Sequence, residues 1–69
     1  MFTNSISYYN VRLVSYRNDS EAGYCGILNT WEGAKIAAQM ILNYDETVTH
    51  VVIKMVKGKG WIEQSIGRE

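Results

Sequence analysis

The chain has 69 residues, 46% of them hydrophobic, and its seven basic and seven acidic side chains cancel. A chain of this length hides only about 60% of its unfolded surface on folding, which excludes two lobes around a deep cleft and with them most cofactor enzymes. The apolar fraction excludes a disordered tail, and the charge balance argues against a strongly basic nucleic-acid grip.

Residues 6–17 read as a strand. Tyr9, Val11 and Leu13 alternate with Tyr8, Asn10, Arg12 and Tyr16 in a segment rich in aromatic and β-branched residues, and Val14 interrupts the polar side. Residues 18–23 read as a loop, because Asn18, Asp19 and Ser20 can bond their own backbone and Gly23 tolerates a positive φ. A short second strand follows over 24–28, weakened by Gly26, which marks a bulge or a close backbone approach. So short a connection makes the pair an antiparallel hairpin.

Asn29 and Glu32 have the spacing of a capping box, so the helix is predicted over 30–44 with Asn29 as its cap. Ala34, Ala37, Ala38, Ile41 and Leu42 form one stripe at 100° per residue, with Trp31 at its edge. That stripe is the sheet-packing face. No basic residue or glycine marks the helix end.

Residues 47–56 form the strongest strand signal. Val51, Val52 and Ile53 run together, which predicts a central strand with little exposure on either face. By parity with Val51, His50 is placed on the outer sheet face with Val48 and Lys54. Lys57, Gly58, Lys59 and Gly60 signal a hairpin, residues 61–66 a last strand, and residues 67–69 a fraying tail. The predicted class is α+β: a single domain over 1–69, in the order β-β-α-β-β, with a four-stranded, mostly antiparallel sheet and one helix across one face.

Chemistry-bearing residues are sparse. Cys25 has no partner for an internal disulfide, which predicts a reducing, cytoplasmic setting. Residues 1–5 carry neither the basic leader nor the apolar run of a secretory signal, and no apolar stretch approaches the roughly 20 residues of a membrane helix. Cys25 and His50 are too few soft ligands for a zinc site, so no metal and no cofactor are expected. Cys25 reads as a small buried hydrophobe in a strand, His50 as a surface histidine, and Asp19, Glu21, Asp45 and Glu46 as solvated charges. No catalytic residue emerges.

Two surfaces do emerge. The outer sheet face gathers Tyr8, Arg12, Tyr16, Lys54 and Trp61, and the back of the helix carries Ile36 and Met40 beside Gly33, where another backbone could come close. These seven side chains are the predicted partner-binding residues. The expected function is a small non-enzymatic accessory or inhibitor protein, of the kind that phage and other mobile elements encode. It would bind a larger protein and associate with itself, most simply as a homodimer, with no membrane role. The alternative is a single-stranded RNA or DNA binder using the same sheet face, since aromatics interleaved with cations can stack bases and meet phosphates.

Overall fold

A computed structural model describes residues 11–68. The elements are β1 (Val11–Arg17), β2 (Ser20–Leu28), α1 (Trp31–Tyr44), β3 (His50–Lys57) and β4 (Gly60–Gly67), in the predicted β-β-α-β-β order. The strands form one sheet in the order β2-β1-β3-β4 with every neighbouring pair antiparallel. The fold is therefore the expected α+β arrangement, with β1 and β3 at its centre. The predicted first strand begins earlier than β1, and Tyr8 and Tyr9 lie outside the described residues. No helix among the described residues is long and apolar enough to cross a membrane.

The first hairpin turns more tightly than its sequence suggests. Asn18 takes a φ of 59° and β2 already begins at Ser20, so most of the expected loop is strand. Gly23, with a φ of 95°, sits inside β2. Between the pairs Val14–Cys25 and Tyr16–Glu21 the register slips, so the extra residues of β2 bulge there and not at Gly26, which pairs regularly with Leu13. Ser15 fills the bulge. Its buried hydroxyl donates to the carbonyl of Tyr24 (3.1 Å) and accepts from the Tyr24 N–H (3.3 Å). One inward serine thus supplies both bonds that the interrupted ladder denies to Tyr24.

Helix α1 packs as its periodicity predicts. Ala34, Ala38 and Leu42 are buried, with Trp31, Ala37 and Ile41 at the margins of the same stripe. Ala34 and Ala38 are wholly enclosed, and their small side chains bring the helix close to Val11 and Leu13 of β1 and Val51 and Ile53 of β3. Each fully buried Val, Leu or Ile contributes roughly 1.5–3 kcal/mol of transfer free energy. The cap is Thr30 rather than Asn29: Thr30 Oγ1 accepts from the Gly33 N–H at 2.9 Å. A Cβ on Gly33 would lie 3.0 Å from that oxygen, so the bare α-carbon makes room for the cap.

Two expectations at the far end of the helix are corrected. Val48 is fully buried, not on the outer face. It precedes β3, and its N–H donates to the Asp45 carbonyl (3.2 Å), so strand parity does not reach it. The tail does not fray at Arg68. The Arg68 guanidinium donates to the carbonyls of Leu42 (2.6 Å), Asp45 (2.8 Å) and Val48 (2.7 Å). The last carbonyls of a helix lack intrahelical donors and carry partial negative charge, so a cation placed there serves both needs. Nearby, Arg17 Nε donates to Thr47 Oγ1 (2.9 Å), and Thr47 donates its N–H (2.9 Å) and hydroxyl (2.6 Å) to Asp45 Oδ1.

Candidate macromolecule-binding face

The helix covers one side of the sheet, so alternate residues of each strand point to the uncovered side. On β1 these are Arg12, Val14 and Tyr16, which alternate with the buried Val11, Leu13 and Ser15. On β3 they are His50, Val52 and Lys54, which alternate with the buried Val51 and Ile53. The register places Tyr16 opposite His50, Val14 opposite Val52, and Arg12 opposite Lys54. On the flanking strands Cys25 pairs with Val14, and Glu63 with Lys54. Val52 is half-buried and Lys54 exposed, so β3 is central in the sheet yet open on one face, contrary to the expectation from its apolar run. A single helix layer leaves the other face of even a central strand uncovered.

Four of the five sheet-side candidates therefore share one surface: Arg12, Tyr16, Lys54 and Trp61. Tyr8 falls outside the described residues. The rings of Tyr16 and His50 stack with centroids 5.1 Å apart and planes 6° from parallel. Thr49 Oγ1 accepts from the Asn18 N–H at 2.9 Å and lies 3.1 Å from His50 Nδ1, which holds the imidazole in this stack. At the other end of the face, Lys54 Nζ sits 4.6 Å from the centre of the Trp61 ring. Such a contact is worth about 0.5–1 kcal/mol at an exposed site.

The face is gently concave. A depression of about 410 Å³ is lined by Arg12, Val14, Tyr16, Val52, Lys54 and Glu63. A second of about 250 Å³ is lined by Arg12, Lys54, Val56 and Trp61. Both hollows have Arg12 and Lys54 on their walls.

Ile36 and Met40 lie on the opposite side of the molecule and are each 64% exposed. The helix is thus oriented as its alanine stripe predicts, and these two do not belong to the core. Tyr44, one turn further along and 81% exposed, extends their stripe. Its i, i+4, i+8 spacing from Ile36 and Met40 is the signal that identifies it.

Cys25 is exposed, not buried, because it points outward from an edge strand. Strand β1 separates it from His50. Strands two apart stand about 10 Å from each other, so the thiol and imidazole do not form a hydrogen-bonded pair. Asp45 is not merely a solvated charge: the bonds from Thr47 hold its carboxyl below the ordinary value, partial removal from water opposing them. Among the described residues no three His, Cys, Asp or Glu side chains cluster to hold a metal ion. No protein-family model, curated protein or solved structure matches the chain.

Proposed function

We propose that this chain is a non-catalytic accessory protein that docks its outer sheet face on a larger protein and modulates or inhibits it. The observation that carries this reading is the convergence of Arg12, Tyr16, Lys54 and Trp61 on one uncovered face around the half-buried Val14 and Val52. An apolar centre with Tyr, Trp and Arg around it has the make-up of a protein interface. A standard interface takes about 800 Å² from each partner, a fraction of the 4881 Å² exposed here. An exposed lone thiol suits a reducing, cytoplasmic setting.

The ring geometry favours a protein over a nucleic acid. A stacking platform for bases needs free ring faces. One face of Tyr16 is taken by His50, and Lys54 lies over the Trp61 ring. Glu63 on the same surface also opposes a phosphate chain. On the helix back, Ile36, Met40 and Tyr44 supply an apolar stripe for self-association, which we assign to a two-fold dimer.

Photo-cross-linking tests the docking face. A benzophenone side chain at position 14, with one at position 36 as the control for the helix side, is irradiated in a native lysate with and without nuclease. A nuclease-resistant adduct with a different protein at position 14 is the expected result. Adducts digested by nuclease, or no adduct at position 14, would sink the reading.

A further inference from the structure

Arg12 and Lys54 are direct cross-strand partners at the centre of the sheet, on the face that the helix leaves open. Like charges in that relation destabilise a sheet. Neither cation is closely paired: among the described residues the one carboxylate–cation pair within 4.0 Å is Arg17 with Asp45, on another part of the molecule. Glu63, the partner of Lys54 on the other flank, offsets part of the repulsion but makes no ion pair of that length, so the two cations keep free donors. The segment 1–10 contains no Asp or Glu that could supply one.

The surroundings suit a ligand better than open solvent. Lys54 is held against the face of Trp61, and the two cations share a hollow of about 250 Å³ with Val56 and the indole. The hollow offers two cationic donors beside an apolar wall. A phosphate chain would need basic groups spaced along a track, but the adjoining hollow carries Glu63. The chemistry fits an isolated anion on a partly apolar carrier. We propose that Arg12 and Lys54 form the receptor for a single carboxylate of the protein partner, an Asp or Glu side chain whose apolar neighbour packs on Trp61 and Val56. This rests on the docking reading above and names the chemistry that the partner must bring.

The test is an NMR titration of the full chain with two blocked tripeptides, acetyl-Leu-Glu-Leu-amide and its Gln isostere, and with the oligonucleotide (dT)8. The Glu peptide is expected to shift the Arg12 Nε–H and Trp61 Nε1–H signals. The Gln peptide is expected to bind about threefold or more weakly, and R12Q and K54Q each to weaken the Glu peptide by a similar factor. R12Q also removes one of two facing like charges, so its Tm should rise by about 1–4 °C. That rise is a readout that a merely structural arginine would not give.

Equal binding of the Glu and Gln peptides overturns the proposal. So does tighter binding of (dT)8 at the same signals, or a fall in Tm in R12Q. If the peptides fail while a protein adduct persists at position 14, the carboxylate receptor falls and the docking face stands. If the peptide shifts appear as expected but that adduct is absent, the carboxylate site stands while the docking reading, and with it the assignment of the carboxylate to a protein partner, falls.

Discussion

Arg68 and Arg12 stand at two regions that use the same guanidinium in opposite ways. Arg68, at the C-terminal end of α1, gives its N–H groups to three backbone carbonyls and joins the helix, the following loop and the end of β4. Arg12, on the open sheet face, stands opposite Lys54 and makes no ion pair within 4.0 Å among the described residues. The first arrangement lowers the free energy of the isolated chain. The second sets two like charges side by side, a relation that by itself costs stability. Arg68 directs its donors to the chain's own backbone, whereas Arg12 and Lys54 keep theirs on an exposed face.

The contrast breaks most easily at Arg68. R68A removes the guanidinium from the carbonyls of Leu42, Asp45 and Val48, of which Asp45 keeps the Val48 N–H, and a lost bond to a charged group costs about 1.5–3 kcal/mol. Thermal unfolding should show a Tm lower by roughly 10 °C for a chain of this size. R68K should recover only part of it, since an ammonium cannot reproduce the guanidinium fork. A Tm unchanged in R68A would place the clasp among decorative surface bonds and remove one side of the comparison. Ser15 is next. S15A strips both bonds from the Tyr24 backbone inside the β2 bulge, and a loss of about 1–2 kcal/mol in urea unfolding is expected.

These two residues also show where sequence reasoning stopped. Strand parity placed Arg12, Val14 and Tyr16 together, and His50, Val52 and Lys54 with them, because a period of two needs only a strand to act on. The helix stripe was equally readable, and it correctly left Ile36 and Met40 outside the core. Parity failed at Val48 because that residue lies before β3 starts. Neighbouring Asn29 and Thr30 are both good caps, and only the position of the first helical turn decides for Thr30. The Ser15 bulge and the Arg68 clasp depend on contacts 9 and 26 residues apart along the chain, and no local pattern carries those. Cys25 is exposed because the register pairs it with Val14 on the uncovered face of an edge strand, which no local pattern in a five-residue segment fixes.

The helix back sharpens the comparison without touching the fold. Ile36 and Met40 make no core contact, so the double change to Glu should leave the Tm within a few degrees. If the stripe drives a two-fold dimer, the sedimentation mass should fall from two chains to one. An unchanged mass removes self-association through the helix and leaves the sheet face as the sole proposed surface. Salt separates the two faces as well. The Arg12–Lys54 contact should weaken as salt is raised, whereas the helix contact should hold.

The smallest expected effect lies at Asp45, where the clasp meets acid. Hydrogen bonds from the Thr47 hydroxyl and N–H, with Arg17 contributing less, lower its carboxyl from the ordinary value of 3.8, although partial removal from water pulls the other way. A lowered value in the folded chain means that the unfolded chain binds the proton more readily. The stabilisation is therefore present above pH 3.8 and is lost as pH falls through the lower, folded value. Asn at this position keeps an oxygen acceptor for both Thr47 donors but has no charge to lose. D45N should accordingly melt slightly below the unmodified protein at pH 7, and the gap should close on acidification toward pH 2. A gap that stays constant across that range would mean that Asp45 holds Thr47 by geometry alone, with its charge contributing nothing to the clasp.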